Sequence, residues 1–192
     1  MQKTFREKQM NVIQTDLPGV LILEPVVYGD SRGYFLETYQ EQRYKDLGIP
    51  SFVQDNLSYS RRGALRGLHY QIPMQGKLVQ VISGTVFDVI VDIRKDSSTF
   101  GKWIGVELSS NNRKQVWIPK GFAHGFYVLS DAAAFSYKCT DAYVPSGGVC
   151  IAWNDPDIGI KWPLEKISCY GHKNPILSEK DEQGIFLKNI KE

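Results

Sequence analysis

The sequence predicts an all-β protein, a barrel or sandwich with a few short peripheral helices, and three observations lead there. Short apolar and aromatic runs recur about every eight to twelve residues, the spacing of packed antiparallel sheets. Turn signals separate these runs, as in the GDSRG of residues 29–33 and the Ser83-Gly84-Thr85 of residues 83–85. No βαβ repetition appears, and both G-x-G-x-x-G and the P-loop pattern are missing, so a doubly wound nucleotide fold is excluded.

In chain order, residues 1–10 read as a charged N-terminal extension without an apolar h-region. VLILEPVV (20–27) and YFLETY (34–39) are extended runs flanking the GDSRG turn, which is hairpin grammar. QEQRYKDLGI (40–49) carries a helical pattern that Gly48 and Pro50 terminate. ALRGLHYQ (64–71) reads as a strand, and KLVQVISGTVFDVIVDIR (77–94) predicts two strands joined at Ser83-Gly84-Thr85 as a second hairpin pair. WIGVELS (103–109), QVWIPKGF (115–122), GFYVLS (125–130) and AAFSYKCTDAYV (133–144) continue the series, and a short helical turn falls near Ser178 to Gln183.

A chain of 192 residues without a Pro/Gly/Ser-rich linker reads as one domain, 1–192. Its 23 basic and 21 acidic side chains leave a net charge of +2, with no run of five like charges, which argues against nucleic acid as the main partner. Three cysteines, Cys139, Cys150 and Cys169, make neither an even disulfide set nor a C-x-x-C pair, as expected of a reducing compartment. With no stretch of 18 apolar residues, the expectation is a soluble, cytoplasmic protein without membrane contact.

Two of the three histidines fall in strand-like runs, and imidazole is the side chain that exchanges a proton most readily near neutrality. Pro119, Gly121 and His124 form P-x-G-x-x-H, which resembles the second motif of the cupin superfamily, whose jelly roll encloses a pocket. Many cupins hold a metal there, but Tyr70 and Gln71 follow His69 where an H-x-H pair and a carboxylate would be wanted, and His172 lies in a polar C-terminal stretch. The expectation is therefore no metal. Taken alone, either histidine could equally be a hydrogen-bonded core residue.

A wider set of motifs, SRGYFLETY (31–39), FVQDNLSYS (52–60), ALRGLHYQ, QGKLV (75–79), FSYKCTDAY (135–143), WNDPDIGIKWP (153–163) and LSEKD (177–181), in this order closely resembles the dTDP-4-dehydrorhamnose 3,5-epimerase family. The resemblance implies a cupin-type jelly roll acting without metal or redox cofactor on a dTDP-4-keto-6-deoxyhexose, inverting C3 and C5 beside the C4 ketone. Such chemistry needs a base on one face of the sugar, a cation or donor at the C4 oxyanion, and an acid on the other face.

By the same resemblance His69 is the base, Asp181 orients it, Tyr137 is the acid and Lys77 faces the C4 oxygen, with His124 lining the pocket. Arg32 and Arg66 would hold the diphosphate, Tyr143 would stack on thymine, and Glu37, Gln54, Asp55, Asn56 and Lys180 would contact ligand. The family also implies a homodimer with exchanged N-terminal strands, for which residues 20–27 could serve, although an ordinary internal strand explains that run equally well. Whether Arg32 and Glu37 serve their own pocket or a neighbour's stays open.

Two features depart from a simple fit. Strand alternation puts Arg66 and His69 on opposite faces, so both reach one pocket only through an irregularity, for which Gly67 is the predicted bulge. Gly148 stands where relatives often carry a glutamate, which leaves that contact unassigned. Other readings are an epimerase acting at one position only, a non-catalytic sugar-nucleotide binding module, and a metal-dependent cupin.

Overall fold

The computed structural model describes residues 9–168 and 174–190, so Cys169, His172 and the first eight residues lie outside the described set. Among the described residues, thirteen strands follow in order. They are β1 (Asn11–Gln14), β2 (Leu21–Glu24), β3 (Val27–Asp30), β4 (Gly33–Leu36), β5 (Gln54–Arg61), β6 (Leu65–Gln71) and β7 (Lys77–Ser83). Then come β8 (Thr85–Asp92), β9 (Trp103–Ser109), β10 (Gln115–Ile118), β11 (Phe122–Val128), β12 (Ala132–Cys139) and β13 (Gly148–Cys150). Three short helices, α1 (Glu41–Lys45), α2 (Glu165–Ser168) and α3 (Glu179–Glu182), sit at the periphery.

Two antiparallel sheets face each other. One has the order β1-β2-β10-β7-β12-β5 and the other β13-β6-β11-β8-β9, while β3 and β4 form a separate hairpin. Inward positions of both sheets make one core, including Val79 and Val81 of β7, Val86 and Ile90 of β8, Phe122 and Phe126 of β11 and Phe135 of β12. A second cluster covers the outer face of the five-stranded sheet, where Leu65, Leu68, Tyr70, Val89 and Val91 pack under Ile151, Ile158, Trp162 and Leu187. These strands are apolar on both faces because both faces are covered.

The all-β sandwich of the sequence is observed, with two corrections of detail. The second predicted hairpin is not one: β7 belongs to the six-stranded sheet and β8 to the five-stranded sheet, so the Gly84 corner, at φ +83°, carries the chain between layers. A side chain there would clash, since a Cβ on Gly84 would lie 2.1 Å from the Ala132 carbonyl oxygen. The α1 helix is also shorter than the 40–49 pattern, because its first turn is capped by Gln40 and the chain unwinds at Asp46 ahead of Gly48, φ +79°.

The apolar run at 20–27 contributes β2, paired on one side with β1 and on the other with β10. Within this chain it is an internal strand of the six-stranded sheet. The GDSRG hairpin is observed as β3–β4, with Tyr28, Tyr34 and Phe35 exposed.

Candidate active site

The site sits at a polar end of the inter-sheet core, and the irregularity in β6 creates its first wall. His124 of β11 pairs with His69, yet Phe126, two residues on, pairs with Arg66, so three steps on β6 span two on β11. That extra residue restores a common face to Arg66 and His69 while Leu65, Leu68 and Tyr70 stay in the outer core. Gly67 is required there, with φ +118°, and a Cβ would fall 2.6 Å from Gly125 Cα and 2.8 Å from the His124 carbonyl oxygen. The predicted bulge is thus observed.

His69 Nε2 lies 2.6 Å from Asp181 Oδ1, although the ring N–H is not aligned on that oxygen as a hydrogen bond. Asp181 reaches this point from α3, whose N-cap Ser178 accepts from the Asp181 N–H and donates its hydroxyl to Asp181 Oδ2 at 2.6 Å. The Gly67 N–H donates to Oδ1 at 3.1 Å, and the Cys150 thiol lies 3.7 Å from the same atom. Burial alone would raise the Asp181 pKa, but the His69 contact, the Ser178 hydrogen bond and the Gly67 N–H outweigh it and hold the carboxyl at about 2. Asp181 is therefore a fixed anion, 4 % exposed, behind an imidazole whose side chain is 35 % exposed. That leaves Nδ1 as the nitrogen free to meet a ligand.

A second pair lies beside the first. His124 Nε2 is 2.7 Å from Asp88 Oδ1, and both residues are buried. Burial raises the Asp88 pKa against the opposing pull of His124 and Lys77. Lys77, on β7 of the facing sheet, has its pKa lowered by burial, with Cys139 and Asp88 pulling the other way. A lysine, a carboxylate and an imidazole thus share one enclosed electrostatic neighbourhood.

The second wall is β12, where Phe135, Tyr137 and Cys139 occupy inward positions. The Phe135 ring stacks on His124 at 5.9 Å and lies 6.2 Å from Tyr137, linking the two sheets. Burial raises the Tyr137 pKa, Cys139 adds to the rise, and the nearby Arg66 guanidinium opposes it. Arg66 is itself steered by Nε donating to Ser60 Oγ at 2.8 Å. On β5, Gln54 Nε2 donates to Asn56 Oδ1 at 2.9 Å, and the Tyr143 N–H donates to Gln54 Oε1 at 2.8 Å, bringing the exposed Tyr143 to the same rim.

Among the described residues, Arg32, Glu37 and Asp55 make their side-chain ion pairs outside this group. Asp55 alternates to the face of β5 opposite Gln54 and Asn56 and binds Lys138 Nζ at 2.8 Å. Arg32, at the tip of the β3–β4 hairpin, is 88 % exposed and pairs with Asp30 at 2.6 Å. Glu37 pairs with Arg43 of α1 at 3.2 Å. Lys180 is close by in space, its Nζ lying 2.9 Å from where a Cβ on Gly148 would stand.

The described site offers an imidazole backed by a carboxylate on one sheet and a phenol and an ammonium on the other. Such a pair of walls can take a proton from one face of a flat carbon centre and return one to the other.

A family model described as dTDP-4-dehydrorhamnose 3,5-epimerase matches residues 14–189. The chain belongs to the dTDP-4-dehydrorhamnose 3,5-epimerase family. It is 52% identical over 178 residues to the enzyme of that name from Pseudomonas aeruginosa, covering 91% of this chain and 94% of the relative. Over 175 residues it is 53% identical to the one from Methanothermobacter thermautotrophicus, covering 90% and 92%. Among solved structures, the dTDP-6-deoxy-D-glucose-3,5-epimerase of Legionella pneumophila, in complex with dTDP-4-keto-L-rhamnose, is similar with a TM-score of 0.90 at 52% identity, covering 95% of each chain. ChmJ, a 3'-monoepimerase from Streptomyces bikiniensis, is similar at 31% identity and a TM-score of 0.83, over 91% of this chain and 86% of that one.

Within this epimerase-family site, sequence reasoning missed Asp88, Ser60 and Ser178. Asp88 carried a signal, being a carboxylate at an inward position of the otherwise apolar FDVIV run. The other two are ordinary polar residues, Ser60 steering Arg66 from the preceding strand and Ser178 holding Asp181 as the N-cap of its own helix.

Proposed function

We propose that this chain is an isomerase that converts dTDP-4-dehydro-6-deoxy-D-glucose to dTDP-4-dehydro-L-rhamnose by inverting C3 and C5. The observation that carries the reading is the His69–Asp181 contact on one wall with Tyr137 and Lys77 on the facing wall. In this reading His69 Nδ1 removes the proton beside the ketone, and Asp181 steadies the imidazolium that forms. The Lys77 ammonium stabilises the C4 enolate oxygen, and the Tyr137 phenol returns a proton to the opposite face. The abstracted proton leaves through His69 to solvent, and the phenolate regains one from solvent before the second centre reacts.

Arg66 would hold the diphosphate, with Gln54, Asn56, His124 and Lys180 around the sugar and nucleotide and Tyr143 stacking on the base. The exposed hairpin residue Arg32, together with Glu37, would serve the pocket of a second copy. A homodimer is supported by β5, an edge strand presenting Leu57 and Tyr59 exposed at alternate positions, with Val53 exposed just ahead of it. Residues 1–192 would act as one cupin-like domain around the shared inter-sheet core. The free thiols Cys139 and Cys150 support a cytoplasmic setting, and among the described residues no helix is long and apolar enough to cross a membrane.

The experiment is solvent exchange. The chain incubated with the keto sugar in deuterated water should place deuterium at both C3 and C5. Exchange at neither position by folded protein overturns the reading. The likeness to a 3'-monoepimerase favours a second reading, inversion at one carbon only, which deuterium at C3 without C5 would select.

A further inference from the structure

One group beside His69 has no part in that reaction: the thiol of Cys150. Cys150 pairs with His69 in the β13–β6 register, so the two side chains leave their strands on the same face. Asp181 enters between them from α3. His69, Cys150 and Asp181 thereby bring one imidazole nitrogen, one sulfur and one carboxylate oxygen within 4.8 Å of one another.

We propose that these three residues form a zinc-binding site, and that zinc occupying it reversibly switches off the epimerase. The switching half rests on the reading of His69 as the base; the binding half does not.

The donor set is the first reason. Imidazole, thiolate and carboxylate are the three ligand types zinc accepts, and their mixture disfavours calcium and magnesium, which prefer oxygen alone. The second reason is spacing. Ordinary zinc bond lengths in a tetrahedron put sulfur and oxygen about 3.6 Å apart and nitrogen and oxygen about 3.3 Å apart. The Cys150 Sγ to Asp181 Oδ1 distance is already 3.7 Å, and His69 Nε2 to Oδ1, at 2.6 Å, needs only to open by a fraction of an ångström. The third reason is the misaligned nitrogen: His69 Nε2 is buried and makes no aligned hydrogen bond, so a metal there displaces no well-formed one.

The proton balance explains the switch. Zinc takes Nε2 of a neutral imidazole, so the ring proton must sit on Nδ1, the nitrogen that otherwise receives the substrate proton. The Cys150 thiol gives its proton to solvent and becomes a thiolate ligand, and the Asp181 charge is spent on the metal instead of on an imidazolium. No electron transfer is involved. The base is lost without any change in Tyr137 or Lys77.

The test uses the full chain freed of metal by a chelator. Titration with zinc chloride against a chromophoric indicator should show one bound equivalent, and cobalt in its place should give a thiolate-to-metal charge-transfer band. Zinc should abolish solvent exchange into the keto sugar, and chelator should restore it. Cys150→Ser should bind zinc more than about tenfold more weakly, lose the cobalt band, and turn over in the presence of zinc that silences the parent. Cys150→Ala, with its melting curve, guards against a folding defect in the serine variant. Absence of a bound equivalent, a cobalt complex without the thiolate band, or unchanged zinc affinity in both Cys150 variants overturns the site. Zinc bound through Cys150 with undiminished turnover overturns the switch. Metal-free protein that binds zinc through Cys150 but never exchanges substrate protons would instead overturn the epimerase reading while the site stands.

Discussion

Replacing Asp181 by asparagine removes one charge and little else. The amide oxygen can still accept from the Gly67 N–H, and the amide nitrogen can donate to Ser178 Oγ, so α3 keeps its anchor. What disappears is the anion 2.6 Å from His69 Nε2. The surroundings hold the Asp181 carboxyl at about 2 against an ordinary value of 3.8. That difference corresponds to about 2.5 kcal/mol in favour of the charged site. His69 supplies only part of that balance, with Ser178 and the Gly67 N–H supplying the rest, so an imidazolium that loses the anion during proton abstraction slows the rate on the order of 10- to 10²-fold. Loss of ring orientation adds to this, up to the roughly 10⁴-fold that a positioned general base supplies. The assay is deuterium incorporation at C3 and C5 followed by NMR, with KM expected to stay near the parental value because Asp181 is buried behind the ring. A rate within about threefold of the parent, in protein that melts normally, would refute the argument. The same variant has a signature in acid. A carboxyl whose folded pKa is depressed adds stability that is fully present above the unfolded value and is lost as pH falls through about 4 towards about 2. The asparagine variant should lack that segment of the acid-unfolding slope.

Three further outcomes follow from the geometry. Gly67→Ala forces a Cβ to within 2.6 Å of Gly125 Cα at φ +118°, so β6 must part from β11; calorimetry should show a cost above about 1–3 kcal/mol with loss of turnover, and an unchanged melt would disprove the tight approach. Tyr137→Phe should cut product formation by about 10²-fold or more while wash-out of substrate protons through His69 persists; equal slowing of both would remove the phenol from its role as acid. Asp88→Asn leaves His124 and Lys77 without their buried anion and should cost about 3–5 kcal/mol in urea unfolding, whereas a loss below about 1 kcal/mol would mean the carboxylate is not paired as a charge.

The layers of the fold were legible because strand alternation is written locally, residue by residue. Partner choice was not: the Ser83-Gly84-Thr85 turn looks like a hairpin in a local window, and only the covering of both sheet faces sends β7 and β8 to different layers. The same limit applies to the site. The common face of Arg66 and His69 could be anticipated from the glycine between them, a local cue. The meeting of His69 with Asp181 could be anticipated only from the motif pattern, since nothing near LSEKD reveals what α3 will touch. A period of two turns Asp55 away from Gln54 and Asn56, so its link to ligand came from the motif alone and not from strand alternation. Asp88 was passed over inside an apolar strand, where an unpaired acid would be too costly to keep.

The extra residue in β6 ties two inheritances together. Without the bulge, unbroken alternation over the three steps from Arg66 to His69 would send those two side chains to opposite faces of β6, and would separate Leu65 from Leu68 in the same way. One of the two functional side chains would then have to turn towards Trp162 and Ile151. A lineage that replaced Gly67 by a residue unable to hold the bulge could keep the guanidinium or the imidazole on the pocket face, never both. Binding and chemistry in this barrel therefore stand or fall through a glycine that offers no side chain to either.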